Sequence, residues 1–362
     1  MMLIGPTLGN YFGRRFLATI GMVFGTVFAL VYTLDFVELM RRAGDAKDAS
    51  AHTMAWLSLL RTPSVTEEVL PFAVLFGSIA TLLGLSRRLE LVIARSVGIS
   101  AWGFLLPGVV AALLLGIASV TLYNPLSATL RQKAATLESS IFSQGSSLDR
   151  RNIWIRQKSI DGQAIIRAAS AVDETGRLLN VTVFLFNEAN AFTERIEAAS
   201  ATLYDGYWEL DDARVMSVSD EPQAYDSYLL ATTLDPAQVR RSFTSASSVS
   251  FWQLPDLIQR TEQAGLDARP YILQYNVLLA RPLLLIAMVL IAASVSLRFF
   301  RFGGVAKLVL GGVVAGFVLY VATEIMQDLG GAGILSPVVA AWFPGVVGSL
   351  LGILALLYQE DG

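Results

Sequence analysis

The sequence predicts an α-helical membrane protein with six transmembrane helices and an all-β domain inserted between helices 3 and 4. Two observations carry that fold class. The 362 residues are 54% hydrophobic and 16% charged, whereas soluble globular domains carry about 25% charged residues. The apolar residues also gather into membrane-length runs, three on either side of a polar block at 125–270. The chain divides accordingly into 1–124, 125–270 and 271–362. A soluble part anchored at both ends cannot drift away as a tethered receptor does. Such a layout suits passage of material between the bilayer and the aqueous phase beside it.

Roughly 20 apolar residues cross about 30 Å of hydrocarbon as a helix. Phe16–Leu34 supplies 19 without a charge, and Val69–Ser86 supplies 18. The first run is too long for a secretory h-region, and Leu34-Asp35-Phe36-Val37-Glu38 offers no small-residue cleavage site, so it counts as a span. Ile99–Leu130 supplies 32, so this helix is expected to project beyond the bilayer. Pro282–Leu297 and Leu308–Thr323 hold 16 residues each and need snorkelling charged flanks to span. Leu329–Gln359 is the sixth. Ahead of the first span, Ile4, Leu8, Tyr11 and Phe12 recur at helical spacing before Arg14-Arg15, which fits an interfacial helix or an ordinary helix start.

Basic residues near the spans set the orientation. With the N-terminus inside, the cytoplasmic set holds eight (Arg14, Arg15, Arg87, Arg88, Arg95, Arg298, Arg301, Lys307) and the opposite short loops hold four (Arg41, Arg42, Lys47, Arg61). This bias places both termini in the cytoplasm and block 125–270 outside it.

Within the block, Asn152–Lys158, Ala164–Arg167, Val181–Asn187, Thr193–Ala199, Tyr207–Leu210, Val215–Ser219 and Tyr225–Thr233 are short runs rich in β-branched and aromatic residues. Turns such as Asp161-Gly162, Glu174-Thr175-Gly176 and Asp205-Gly206 separate them. Short strands at this spacing predict a sandwich, a jelly roll or a partial barrel. Pro255–Gly265 carries an apolar stripe (Leu254, Leu257, Ile258) and predicts a short surface helix ahead of the fourth span.

The chain contains no cysteine and one histidine, His52. Thiolate sites and disulfides are excluded, and histidine-based zinc sites or Ser-His-Asp triads have no basis here. No phosphate-binding loop, dinucleotide fingerprint or H-E-x-x-H motif occurs; Gly303-Gly304-Val305-Ala306-Lys307 has the wrong spacing. No catalytic residue, metal, cofactor or nucleic-acid partner is indicated, and any active transport must draw on a partner or an ion gradient. Charges in the spans are few, and none sits near mid-span as an ion-coupled carrier would want. Arg281 falls near the outer boundary, where snorkelling and a functional role are both open. Glu324 and Asp328 share a helix face, as a cation site or as a solvated helix end. Arg41 and Arg42 sit just past the first span, where paired guanidiniums suit phosphates through forked hydrogen bonds or simply anchor to headgroups. Ser86–Gly98 mixes Arg87, Arg88, Glu90 and Arg95 with Leu89, Val92, Ile93 and Val97. This predicts a short amphipathic helix that lies on lipid or fits a groove on a partner.

At this loop the chain resembles a known family. Asp35-Phe36-Val37-Glu38-Leu39-Met40-Arg41-Arg42-Ala43-Gly44, Leu70-Pro71-Phe72-Ala73, Glu90-Leu91-Val92-Ile93-Ala94-Arg95-Ser96-Val97-Gly98 and Gly316-Phe317-Val318-Leu319-Tyr320 are similar, in order and spacing, to the LptF/LptG permeases of lipopolysaccharide export. Within that family the chain looks more like the LptG members. The resemblance implies a periplasmic β-jellyroll and a multi-pass protein of the bacterial inner membrane. It implies extraction of lipopolysaccharide from that membrane and delivery to a periplasmic bridge. The implied partners are an LptF-like permease subunit forming a heterodimer, an LptB-like cytoplasmic ATPase dimer that hydrolyses the ATP, and an LptC-like membrane-anchored periplasmic protein. The helix at 86–98 becomes a coupling helix in the ATPase groove, with Arg87, Glu90, Leu91 and Arg95 as contacts and Glu90 its characteristic acid. Arg41 and Arg42 match a basic pair near a lipid cavity mouth. Asp35 departs from the family where some members carry a basic residue, and pairing with Arg41 or Arg42 is one expected consequence. Two further readings are a non-transporting scaffold whose β-domain recruits periplasmic partners, and an ion-coupled lipid carrier.

Overall fold

The first five apolar runs lie in longer helices, apart from Ile99 and the cap Ser100, because capping and polar flanks extend helical geometry past the hydrocarbon-length segment. Leu329–Gln359 is divided instead, its first three residues closing the fifth membrane-length helix and Pro337 opening the sixth. The computed structural model describes residues 5–43, 50–142, 153–159, 162–172, 177–187, 191–204, 206–217, 222–232, 248–263, 267–302 and 305–360. Among them, six helical segments are long and apolar enough to cross a membrane. The first is α1 (Pro6–Ala43) and the second α2 (Ala51–Arg87). A seven-residue helix, α3 (Glu90–Ser96), precedes α4 (Ala101–Ala118), which continues through a π-helical turn (Ser119–Tyr123) into α5 (Asn124–Phe142) as the third. After the insert come α6 (Leu254–Gln263), α7 (Arg269–Phe302), α8 (Val305–Gly331) and α9 (Pro337–Glu360). The two 16-residue runs thus belong to helices of 34 and 27 residues. The third helical segment continues past Leu130 to Phe142, and α6 forms where the apolar stripe placed it. Ser50 and Ser100 cap α2 and α4, accepting from the amides of Thr53 and Gly103 at 3.2 and 3.3 Å.

The core of this unit centres on α7, whose Leu285, Ala287, Met288, Val289, Ala292 and Ala293 are buried. Small residues bring neighbours close, as expected where van der Waals packing drives helix association in lipid. A Cβ on Gly77 of α2 would lie 2.6 Å from the Cα of Ile20 in α1, and one on Gly116 of α4 would lie 2.5 Å from the Cα of Pro282 in α7.

The β unit comprises Phe142–Ser245, narrower than the polar block 125–270 because α5 carries the chain helically as far as Phe142. Among the described residues its strands are β1 (Ile153–Ser159), β2 (Gly162–Val172), β3 (Arg177–Phe186), β4 (Phe192–Tyr204), β5 (Tyr207–Ser217) and β6 (Gln223–Ala231), antiparallel and in sequence order within one sheet. The turn residues Glu174–Gly176, Asp161 and Asp205 lie outside the described residues.

Two runs read from sequence as separate strands, Tyr207–Leu210 and Val215–Ser219, are one strand, β5. The alternation breaks inside it for a local reason. Asp212 has φ 51° and Asn180 of β3 has φ 49°, the left-handed region that Asn and Asp tolerate best among residues other than glycine. Each turns the backbone over, so the buried phase changes from Trp208 and Leu210 to Ala213 in β5, and from Leu178 to Val181 and Val183 in β3. In β4, between them, it changes from Ile196 and Ala198 to Ala201 and Leu203. The buried faces of all three strands together form one apolar core. Beneath it, the Gln157 side-chain oxygen accepts from the Trp208 indole at 3.1 Å and from the Thr232 hydroxyl at 2.6 Å.

Candidate functional site

Among the described residues of the helical unit, one buried carboxylate collects bonds from two other crossings. Glu67 of α2 is 6% exposed. Its Oε1 accepts from the Asn124 amide at 2.9 Å and from the Arg281 guanidinium of α7, and its Oε2 accepts from the Ser127 hydroxyl. Arg281 Nη1 also reaches Ser119 Oγ at 3.4 Å. Three crossings therefore meet at one ion pair. The π-turn sits against it, closed by the Asn124 amide on the Ser119 carbonyl. Turns of this kind interrupt the α-helical ladder and recur at functional sites. The same turn receives the returning chain: the Phe251 amide donates to Asn124 Oδ1 at 2.9 Å, and the Trp252 indole to the Thr121 carbonyl at 3.3 Å.

This pairing replaces the snorkelling role weighed for Arg281. Sequence reasoning missed Glu67, which lies two residues before the apolar run that opens at Val69. A buried arginine on one span and an acid within a turn of another was the available signal. Glu324 and Asp328, on α8, are both exposed.

At the end of the unit where α1 stops and α2 begins, Arg41 is forked onto both oxygens of Glu38 (2.9 and 2.9 Å), and Arg42 Nε reaches Glu38 Oε1 at 2.9 Å. The i,i+3 and i,i+4 spacing on α1 makes this geometry local. Arg41 is 76% exposed and Arg42 54%, so both cations face outward with one carboxylate behind them. Asp35 pairs with neither. Its Oδ1 lies 3.7 Å from Arg61 of α2, which also reaches Glu138 of α5 at 3.4 Å. One turn along α1 from Glu38, Asp35 faces α2 instead.

At the opposite end, the helix read as 86–98 divides into two. The α2 helix stops at Arg87, Leu89 takes φ 62°, and α3 runs from Glu90 to Ser96 before Gly98 at φ 87°. Leu89, Ile93 and Val97, spaced four apart, are 58%, 61% and 66% exposed and form an outward apolar stripe. Leu91 is 6% exposed and belongs to the helical core. Glu90 bonds to α1: Arg15 Nη1 lies 3.3 Å from its Oε1, and the Tyr11 hydroxyl donates to its Oε2 at 3.1 Å. Arg87 is exposed, and Arg95 lies on α3.

The spans differ in how far the chain covers them. Only 6% of the most apolar stretch of α1 and 22% of that of α8 is buried, against 61% for α2.

Comparison with known proteins accounts for nearly the whole chain. Residues 10–358 match the family model of the lipopolysaccharide export system permease LptF/LptG. The chain is 23% identical to the lipopolysaccharide export system permease protein LptG of Escherichia coli K12 over 372 residues, covering 98% of each. It is 24% identical to the LptG protein of Haemophilus influenzae over 338 residues, covering 88% of this chain and 89% of that one. Six membrane-length helices in two groups of three around an antiparallel sheet, with this match end to end, place the chain in the LptF/LptG family of lipopolysaccharide export permeases.

Proposed function

We propose that this chain is one half of an ATP-driven exporter that takes lipopolysaccharide from the inner membrane and passes it to a periplasmic bridge. It is a transporter subunit, and ATP hydrolysis belongs to an LptB-like ATPase dimer on the cytoplasmic side. An LptF-like permease supplies the other half, and an LptC-like membrane-anchored protein meets the complex in the periplasm. The observation that carries this reading is the uneven covering of the spans. Lipid-facing walls must stay open to cargo, and α1 and α8 are the least covered. Acyl chains would lie along these walls. Arg41 and Arg42 would meet the phosphates at headgroup depth, exchanging bonds with Glu38 for charge-assisted bonds to phosphate.

Changing both Arg41 and Arg42 to glutamate is expected to cut copurified or crosslinked lipopolysaccharide several-fold, because phosphate then meets three carboxylates, Glu38 and the two introduced ones, within little more than one helical turn. Association with the ATPase should persist, since its contact lies at the other end of the spans. Undiminished lipid capture would reduce these arginines to headgroup anchors. A complex that binds an ATPase but never carries lipid would favour the scaffold reading.

Orientation follows from the same proposal. Both termini are cytoplasmic and the sheet periplasmic, on the basic-residue bias. Single cysteines at Gly5 and Asp226, introduced into a chain that has none, should label oppositely with a membrane-impermeant thiol reagent in intact cells. Labelling of both from the periplasm would reject this topology.

A further inference from the structure

We propose that Arg15 and Tyr11 act through Glu90 as positioning residues, coupling the short helix α3 to α1 so that movement of α3 is delivered to the least-covered span. The proposal rests on the reading that α3 receives the ATPase. It adds the route by which that contact reaches the lipid-facing wall.

Four observations converge on it. First, α3 is bounded by two left-handed residues, Leu89 at φ 62° and Gly98 at φ 87°. Glycine adopts that conformation freely, but leucine does so under strain, and strained backbone collects at positions that move or switch. The helix is therefore a short rigid piece between two joints. Second, its described side chains divide between an attachment and a free stripe. Leu91 inserts into the core, while Leu89, Ile93 and Val97 face outward.

Third, the polar attachment goes to α1 and to no other span among the described contacts. Arg15 and Tyr11 are one turn apart on α1; Arg15 donates to the Tyr11 hydroxyl at 2.6 Å and to Glu90 at 3.3 Å, and Tyr11 donates to the second oxygen of Glu90 at 3.1 Å. Arg15 also lies 5.8 Å from the centre of the Tyr11 ring, so phenol and guanidinium hold one another in place. The result is a closed triangle of acid, phenol and cation. Fourth, the triangle is neither buried nor fully solvated: the side chains of Arg15 and Glu90 are 23% and 26% exposed. Each carboxylate oxygen carries two acceptor directions. Tyr11 and Arg15 leave room on Glu90 for a further donor from outside, and an acid bonded on both sides passes displacement from one to the other.

Higher up, α1 has a stiff bearing. Ile20 rests on Gly77 of α2, and Phe16 on Gly108 of α4, whose added Cβ would lie 2.9 Å from the Phe16 ring. A pull at Tyr11 and Arg15, below those contacts, tilts the helix about them. That converts a small rotation of α3 into a change at the lipid-facing stretch.

The test uses the whole complex with its ATPase and second permease, reconstituted with lipopolysaccharide, and reads lipid released per ATP hydrolysed. Arg15→Gln is expected to lower that ratio about two- to fivefold, the scale of a part-exposed ion pair, with complex yield and bound ATPase unchanged. Tyr11→Phe should lower it at least about twofold, the scale of one part-exposed hydrogen bond to a carboxylate, and Arg15→Lys should retain most of it. In a Glu90→Gln background, Arg15→Gln should add nothing, because its effect runs through that acid. An unaltered ratio in Arg15→Gln, or losses that simply add in the double variant, overturns the proposal. If Arg15→Gln does not assemble, Tyr11→Phe carries the same cycle, since Tyr11 is 44% exposed and tolerates loss of the hydroxyl. Additivity with Glu90→Gln overturns the proposal there too. A wild-type complex that hydrolyses ATP without releasing lipid would instead overturn the exporter reading, and the coupling role falls with it.

Discussion

Replacing Arg281 with methionine is expected to destabilise the helical unit by about 3–5 kcal/mol, the cost of leaving one member of a buried ion pair without its partner. Glu67 is 6% exposed and would keep only the neutral donors Asn124 and Ser127. The loss should appear as a lowered thermal transition of the detergent-solubilised complex and as faster proteolysis near the return segment Phe251–Gln253, which hangs on Asn124. The double variant Glu67→Gln with Arg281→Met should recover most of the loss, because no charge then remains buried. Arg281→Lys should fall between, since both contacts, to Glu67 and Ser119, come from the single nitrogen Nη1, which an ammonium matches in charge but not in reach on its shorter side chain. A single Arg281→Met variant as stable as the wild type would mean that water reaches the pair and that it holds nothing together.

The second large effect is expected on α3. Changing Ile93 and Val97 together to aspartate should reduce copurification of the ATPase at least tenfold, with the permease itself folded and inserted. Both side chains are more than 60% exposed and make no part of the chain's own core, so folding has little stake in them. A groove-bound amphipathic helix draws its affinity from just such spaced apolar anchors, and a central apolar anchor is commonly worth about 2 kcal/mol or more. Leu91→Asp makes the counterpart. It buries a charge in the permease core and should lower permease yield itself. Equal ATPase recovery from the Ile93/Val97 variant would show that the stripe rests on lipid.

Much of this architecture was legible in the residues. Six apolar runs, the split into two groups of three and the β character of the insert all follow from periodicities that do not depend on distant parts of the chain. The motifs at 35–44 and 90–98 pointed to the right family because they are contiguous. Errors gathered where one local signal was interrupted by another. Leu89 looked like part of a helical stripe, and it is, but its left-handed backbone divides the helix that the stripe implied. Residues 211–214 part Tyr207–Leu210 from Val215–Ser219 in the sequence, yet Asp212 among them marks a change of phase within one strand.

Hydropathy and spacing alone determined which segments cross and which fold as a sheet, because both depend on the residues within a single element. Pairing was decided only by the tertiary structure. Glu67 meets Arg281 across 214 positions, Asp35 turns to Arg61 and away from Arg41 and Arg42, and Glu90 is held by Arg15 from 75 positions upstream. Each choice depends on how adjacent helices are rotated about their axes. That rotation is set by contacts such as Ile20 on Gly77 and Pro282 on Gly116, where the partner's position, rather than the residue's own neighbours in sequence, selects which face is turned inward.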